Sequence, residues 1–272
     1  PSRRGYEAAG TVDAVGRGVR ELKVGDRVST IPSFSIGKYG VYGESAIVPA
    51  YAAVPYPDNL TPVEGAAIWM QYLTAFGALI EYGQTRAQDS VLITAASSSV
   101  GLAAIQISKN AGATAIATTR GADKKPFLLE AGADHVIVTD EEDLAERVME
   151  ITAGTGVRIV FDPVAGPLLE TLAEAAAPGA TILEYGALAP APTPFPLFTA
   201  LAKGLTIRGY TLFEIVQDAE KLARGTQYIR DALQSGALSE PAIGDSEGPG
   251  SGSNQRVTER SGPRSASCFW CG

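Results

Sequence analysis

The chain contains three stretches that differ in how their apolar residues are spaced. From about residue 86 to 238, short continuous apolar runs alternate with segments whose apolar residues recur every three or four positions. Continuous apolar runs are typical of parallel strands buried on both faces, and the recurring pattern is typical of amphipathic helices. This rhythm predicts an α/β domain in which helices cover both faces of a parallel sheet.

Six strands are predicted within this central stretch. They are VLIT (91–94), TAIAT (114–118), HVIVT (135–139), VRIVFD (157–162), TILEYG (181–186) and LTIRGY (205–210). Helices are predicted between them over 100–112, 123–132, 143–154 and 167–176, and a longer one near 216–235. Six strands in this rhythm predict a six-stranded doubly wound Rossmann domain, a fold that binds dinucleotides.

The stretches on either side have a different texture. Residues 1 to about 60 are rich in Gly and Pro, with short β-like runs at 10–16, 26–31 and 44–50. Frequent turn signals between short strands predict a β-rich, barrel-like unit, and its abrupt start suggests that it is incomplete. The predicted domains are therefore a partial β-rich domain over 1–63, a Rossmann domain over 64–238 and a tail over 239–272.

The predicted tail is rich in Ser, Gly, Pro and charged residues and has no apolar periodicity. Such a segment cannot bury enough apolar surface to offset the entropy lost on ordering, so we expect it to be disordered. Cys268 and Cys271 form a C-x-x-C pair within it. Because redox and metal motifs need a fold around them, we interpret this pair as incidental.

Composition and charge exclude several classes of function. The net charge is −8 and no basic stretch is present, which argues against nucleic acid or an anionic membrane as a partner. No uncharged apolar run reaches the ~18 residues of a membrane span. Outside the tail there is no cysteine, so a cytoplasmic location is predicted. His135 is the only histidine, and we expect a structural role for it and no metal site.

The turn after the first central strand is the candidate phosphate-binding loop. The fingerprint G-x-G-x-x-G falls on Ala96, Ser97, Ser98, Ser99, Val100 and Gly101, so only its last glycine is present. Alanine and serine are small, serine hydroxyls can donate to phosphate oxygens, and a helix N-terminus favours anions. The turn by itself fits either a nucleotide site or an ordinary strand-to-helix connection.

The end of the second central strand bears on the choice of cofactor. An NAD site usually has an acidic residue there, which accepts hydrogen bonds from the ribose hydroxyls. This chain has Thr118 and Thr119 at that point, followed by Arg120 and Lys124. Cationic side chains would pair with a 2′-phosphate, which predicts NADP(H). The alternative is that both are ordinary surface charges.

Several motifs in the same order resemble the medium-chain dehydrogenase/reductase superfamily, especially its quinone-oxidoreductase-like members. They are GYEAAGTVDAVGRGVRELKVGDRV (5–28), ITAASSSVGLAAIQISKNAGATAIATTR (93–120), GADHVIVTDEEDL (132–144) and IVFDPVAGPLLETLAEAAAPGATILEYGAL (159–188). The resemblance covers about residues 1–238 and implies an incomplete GroES-like catalytic domain beside the Rossmann domain. Because family members extend further at both ends, it also implies a missing N-terminal part and an aberrant reading after about Leu238.

The resemblance also implies that zinc is absent. The zinc-dependent branch has a Gly-His-Glu motif whose histidine binds the metal, and this chain has Gly5-Tyr6-Glu7. A second ligand, usually cysteine, is replaced by Met70 in WMQYLTAFG. Loss of both ligands implies the zinc-independent branch.

By the same resemblance, four further residues would line the cofactor or substrate cleft: Thr74, Tyr42, Gly186 and Ala187. The turn Ala96–Gly101 would hold the pyrophosphate, and Tyr42, Tyr6 or a bound water would donate a hydrogen bond to a developing oxyanion. Tyr42 could instead be a core residue, and Thr74 could bond within its own helix.

The implied activity is hydride transfer from NADPH to a quinone or an α,β-unsaturated carbonyl. Two alternatives stay open: an NADP(H)-binding fragment without turnover, and a zinc-type alcohol dehydrogenase relative acting on alcohols or aldehydes. A short-chain dehydrogenase is disfavoured because no tyrosine has a lysine four residues later. The resemblance also implies a possible homodimer through the sheet edge near LTIRGY.

Overall fold

A computed structural model describes residues 5–239 of the chain. The expectations for residues 240–272, including Cys268 and Cys271, lie outside the described residues. The backbone divides into two compact units. One contains the described residues up to Gln71 together with those from Val216 onwards, and the other is Tyr72–Ile215. The predicted domain limits after residues 63 and 238 stay a prediction.

The unit that contains the N-terminal residues has a small antiparallel sheet. Its strands are β1 (Ala9–Thr11), β2 (Arg27–Thr30) and β3 (Ala53–Pro55), in that order across the sheet. Helix α1 (Pro62–Ala66) begins with a capping box, in which Thr61 and Glu64 each bind the other's backbone N–H. This reciprocal pairing satisfies two amides that the helix leaves without intrahelical partners.

The prediction of a strand over 44–50 is wrong. The third strand is β3, whose Val54 is paired with Ser29 of β2. Residues 44–47 are exposed, and the Ile47 side chain is 84% accessible. A β-like run becomes a strand only where a neighbouring backbone offers a hydrogen-bonding ladder, and within the described chain β2 pairs with β1 and β3.

The prediction of a six-stranded doubly wound Rossmann domain is confirmed by the unit Tyr72–Ile215. Its strands are β4 (Ser90–Ile93), β5 (Thr114–Thr119), β6 (His135–Val138), β7 (Val157–Asp162), β8 (Ala176–Glu184) and β9 (Thr206–Gly209). All five pairings are parallel, in the order β6-β5-β4-β7-β8-β9. The strand order reverses at β4, and ligands of such sheets bind beyond the carboxyl ends of the strands at that point.

Helices lie between these strands and on either side of them in the described part of the chain. They are α2 (Trp69–Phe76), which continues as a π-helical segment (Gly77–Tyr82), then α3 (Ser99–Asn110), α4 (Lys125–Glu130), α5 (Leu144–Ile151), α6 (Leu168–Ala175), α7 (Leu197–Lys203), α8 (Phe213–Val216) and α9 (Ala219–Ser235). No helix in residues 5–239 is both long enough and apolar enough to cross a membrane.

The central strands are buried because their side chains are apolar on both faces. In β4, Val91, Leu92 and Ile93 have no accessible surface. Leu92 lies in a cluster that also contains Val160 of β7 and Ile182 of β8. A sheet covered on both sides fixes the positions at which its strands end, and the loops of the candidate site begin there.

The first turn of α3 packs directly against the loop that follows β4. A Cβ atom added at Gly101 would lie 2.6 Å from both the Cα and the carbonyl oxygen of Ala96. The contact is with backbone, which cannot rotate away as a flexible side chain can. Gly101 is therefore required by the close approach of helix and loop, as the last glycine of the fingerprint predicts.

We expect Gly101→Ala to lower the free energy of unfolding by about 1–3 kcal/mol, the usual range for an overpacked site. Urea denaturation followed by circular dichroism measures this change. Gly209→Ala is the matched control, because a Cβ atom there would meet nothing within 4 Å. Equal stability of the two variants would contradict the packing argument.

Candidate active site

The loop between β4 and α3 turns through a left-handed residue that is not glycine. Ala95 has a φ of +45°, a conformation that costs an L-residue about 1 kcal/mol. The loop is held in place by the next strand, since the Ala96 N–H donates to the Thr118 carbonyl at 3.3 Å. The fingerprint laid on Ala96–Gly101 therefore missed the residue that makes the turn, which is one position earlier.

Ser98 caps helix α3. Its side chain accepts a hydrogen bond from the Gly101 N–H at 3.1 Å, and its backbone is extended. Ser98 is exposed, Ser97, Ser99 and Val100 are half-buried, and Ala96 is buried. The loop thus presents a serine hydroxyl and the positive end of a three-turn helix to the carboxyl edge of the sheet, where an anion is stabilised.

The end of β5 carries the two cations of the predicted 2′-phosphate site. Thr118 and Thr119 are buried, whereas Arg120 and Lys124 are exposed. Lys124 lies in a single 3₁₀ turn that directly precedes α4. In the part of the chain that is described, neither cation forms a salt bridge. Both charges are therefore available to an anion at this corner of the sheet.

Two acidic residues end the neighbouring strands β7 and β8. Asp162 is fully buried, accepts from the Thr94 hydroxyl, and accepts from the Ala165 N–H at 2.6 Å. Glu184 is paired in register with Asp162, and both of its carboxyl oxygens are buried. Burial, together with the Asp162 charge beside it, raises the pKa of Glu184 to about 9. Glu184 therefore keeps its proton at neutral pH.

Tyr185 follows Glu184 and lies on the opposite face of the sheet. Its ring stacks on Phe161, with 4.0 Å between centroids and 15° between planes. Burial raises the pKa of its phenol, and the nearby Ser98 side chain opposes that rise. Sequence reasoning missed Thr94, Asp162, Glu184 and Tyr185. The signal that could have identified them is the polar ending of two strands that are otherwise apolar.

The other predicted residues of this unit lie on three different elements. Gly186 follows β8, and a Cβ atom there would lie 2.8 Å from the Pro163 carbonyl oxygen, so packing requires glycine. Ala187 beside it is exposed, and Thr74 is buried in α2. Their contacts with a nicotinamide stay a prediction.

Tyr6 and Tyr42 belong to the other compact unit. Tyr6 packs against Phe34, with 6.1 Å between ring centroids, whereas Tyr42 is 57% exposed. Core packing thus describes Tyr6 better than Tyr42. Glu7 is buried and accepts from the Met70 N–H at 3.2 Å, and burial raises its pKa to about 7.

Within residues 5–239, no three His, Cys, Asp or Glu residues are grouped so that they could hold a metal ion. The position where zinc-dependent members have a histidine is Tyr6, and the Met70 backbone is bonded to Glu7. The groups that the structure brings to the carboxyl edge of the sheet are instead the loop Ala96–Gly101, here called the serine loop, the exposed cations Arg120 and Lys124, and the ends of β7 and β8.

Comparison with known proteins assigns the family. Residues 1–58 match the family model described as alcohol dehydrogenase GroES-like domain, and residues 99–226 match the one described as zinc-binding dehydrogenase. The crystal structure of Escherichia coli quinone oxidoreductase complexed with NADPH is 31% identical in sequence, with a TM-score of 0.75. The match covers 88% of this chain and 72% of that one. The chain belongs to the medium-chain dehydrogenase/reductase superfamily.

Two further similar proteins have different described activities. Quinone oxidoreductase of Salmonella typhimurium is 39% identical over 164 residues, which are 60% of this chain and 49% of that protein. A structure titled NAD-dependent alcohol dehydrogenase is 31% identical, with a TM-score of 0.78, and covers 88% of this chain and 74% of that one. The match spans about half the length of the Salmonella relative.

The buried carboxyl group of Glu184 predicts a specific dependence of stability on pH. The pKa of its carboxyl group is higher in the folded protein than in the unfolded chain. Between about pH 4.5 and about pH 9 the folded state therefore binds the extra proton, and its contribution to stability is lost as pH rises through that window. Glu184→Gln, which resembles the protonated acid, should flatten this decline by up to about 1.4 kcal/mol per pH unit.

Urea denaturation across that window, at several pH values, measures the decline. Glu130→Gln is the control, because Glu130 is exposed at the end of α4 and should leave the pH profile unchanged. A Glu184→Gln profile parallel to that of the unaltered chain would show that Glu184 is not held protonated by the fold.

Proposed function

We propose that the chain binds NADPH at the carboxyl edge of the six-stranded sheet. The observation that carries this proposal is the loop Ala96–Gly101, in which an exposed serine caps α3 and a glycine lets the helix approach the loop backbone. This arrangement fits a pyrophosphate, because helix amides and a hydroxyl donor face the same place. The NADPH complex of the Escherichia coli relative supports the choice of cofactor.

The preference for NADPH over NADH rests on Arg120 and Lys124. A 2′-phosphate would gain charge-assisted hydrogen bonds from an arginine and a lysine, whereas the ribose hydroxyls of NADH would find no acidic acceptor at Thr118 or Thr119. Because a similar structure is described as an NAD-dependent alcohol dehydrogenase, the test of this preference compares the affinities for NADPH and NADH directly.

The reaction that we infer is reduction of a quinone or an α,β-unsaturated carbonyl. NADPH supplies the hydride, which is the chemistry the protein itself lacks. The chain's own part is to hold the phosphates on the serine loop, to border the nicotinamide with Thr74, Gly186 and Ala187, and to exclude water. Tyr42, exposed on its unit, is the better candidate than Tyr6 for donating a hydrogen bond to the oxyanion.

We infer that the reaction needs no zinc. Tyr6 and Met70 lack the imidazole and thiolate that hold a catalytic zinc ion in the positions implied by the resemblance. The words "zinc-binding dehydrogenase" describe the matching family, and this chain departs from that description at both residues. A zinc-type alcohol dehydrogenase activity is thus the weaker alternative.

A fragment that binds NADPH without turnover is the stronger alternative, because the chain is short relative to the proteins it resembles. Two further expectations also stay predictions: a homodimer formed through the edge strand β9, and a cytoplasmic location. Size-exclusion chromatography with light scattering measures the first of these directly.

We expect calorimetric titration to give an NADPH dissociation constant at least about tenfold below that of NADH, as one charge-assisted contact would provide. The double variant Arg120→Ala with Lys124→Ala should lose this preference and keep NADH binding unchanged. Arg17→Ala is the control, since Arg17 is an exposed cation of the other unit. Equal affinity for the two cofactors in the unaltered chain would refute the assignment of the 2′-phosphate site.

Turnover is tested by following NADPH oxidation with quinones and enones, with and without a zinc chelator. We expect reduction that the chelator leaves unchanged, and about a tenfold or greater loss of kcat in Tyr42→Phe if its hydroxyl stabilises the oxyanion. NADPH binding without any turnover would establish the fragment alternative. Turnover abolished by the chelator would refute zinc independence.

A further inference from the structure

The Tyr185 hydroxyl is a buried polar group that the described part of the fold leaves without a hydrogen bond. Its oxygen is buried, and among residues 5–239 it has no hydrogen-bond partner. A buried hydroxyl without a partner costs about 1–3 kcal/mol of stability. Phenylalanine would keep the stack on Phe161 and avoid this cost, so a tyrosine here calls for an explanation outside the packing of the sheet.

The side chain of Ser98, the cap of α3, lies close enough to this hydroxyl to lower its pKa against the effect of burial. A serine hydroxyl has one proton to donate and two lone pairs that accept. One lone pair of Ser98 is already used by the Gly101 N–H at 3.1 Å. The second lone pair and the proton remain, and Ser98 is exposed at the carboxyl edge of the sheet.

The Tyr185 hydroxyl and the Ser98 hydroxyl can complete each other's hydrogen bonding once an anion is present. If the Ser98 proton is donated outward to a phosphate oxygen, its second lone pair can accept from the Tyr185 O–H. All three hydrogen-bonding positions of Ser98 are then used, and the Tyr185 hydroxyl gains a partner. Hydrogen bonds arranged in such a chain polarise one another, which strengthens the donor that faces the phosphate.

We propose that Tyr185 is a positioning residue for the cofactor phosphate, acting through Ser98. This inference rests on the proposed function and extends it by a residue that directly follows β8 and that the fingerprint does not contain. It also explains why Ser98 stands where the common fingerprint has its second glycine. The Ser98 hydroxyl can donate to the phosphate while it accepts from the Tyr185 O–H. The ring is held flat on Phe161, so the donor is fixed before the cofactor arrives.

The test is a double-mutant cycle for NADPH binding with Tyr185→Phe, Ser98→Ala and the double variant, each measured by calorimetry. We expect Tyr185→Phe to weaken NADPH binding about two- to tenfold, the worth of one neutral hydrogen bond. Because Tyr185 acts through Ser98, the same substitution should have little further effect in the Ser98→Ala background.

A second measurement separates positioning from a structural role. Without NADPH, the melting temperature of Tyr185→Phe should equal or exceed that of the unaltered chain, because the variant removes an unsatisfied hydroxyl. With NADPH, its gain in melting temperature should be smaller than that of the unaltered chain. Tyr82→Phe, a tyrosine on the π-helical segment that follows α2, serves as the control variant and should leave NADPH affinity unchanged.

The outcomes are distinct. Unaltered NADPH affinity in Tyr185→Phe overturns the inference, as does an equal loss in both backgrounds of the cycle. A lower melting temperature in the absence of cofactor also overturns it, since the hydroxyl would then stabilise the fold itself. Failure of the unaltered chain to bind NADPH overturns the proposed function and the inference together.

Discussion

The candidate site depends on one close approach, that of the first turn of α3 to the backbone of the loop after β4. The helix lies so close to Ala96 that position 101 has no room for a side chain, and only glycine fits there. This close packing fixes where the helix N-terminus lies. Ser98 is placed at that N-terminus because it is the cap, and Ala95 accepts a left-handed conformation to make the turn. The loop thus uses small residues at positions 95, 98 and 101, and packing requires glycine only at position 101.

The ends of the central strands are shaped by polar groups that the sheet buries. Asp162 holds the Thr94 hydroxyl and the Ala165 N–H, so its charge orders the loop after β7 as well as the end of β4. Burial of the Glu184 carboxyl, together with the Asp162 charge beside it, raises its pKa to about 9, so Glu184 is protonated at neutral pH. One negative charge, instead of two, therefore lies under the edge where an anionic cofactor is proposed to bind.

Apolar periodicity predicted the sheet well because the inner strands β4, β5 and β7 are buried on both faces. The run at 157–162 coincides with β7, and the serine loop lies where a strand-to-helix turn was expected. The run at 44–50 failed because pairing depends on a neighbour that a single segment does not reveal. The approach of Tyr185 to Ser98 was equally invisible, since it joins the ends of two strands far apart in sequence and is set by the order of the sheet.

The most direct test of cofactor binding at the loop Ala96–Gly101 is amide hydrogen exchange of the chain with and without NADPH, read by mass spectrometry. We expect slower exchange with NADPH in the segments that contain residues 96–101 and 119–125, because bound phosphates would engage those amides and side chains. We expect no change in α5, which packs against α6 and β6. Binding of NADPH that leaves exchange in residues 96–101 unchanged would contradict the central claim that the serine loop holds the cofactor.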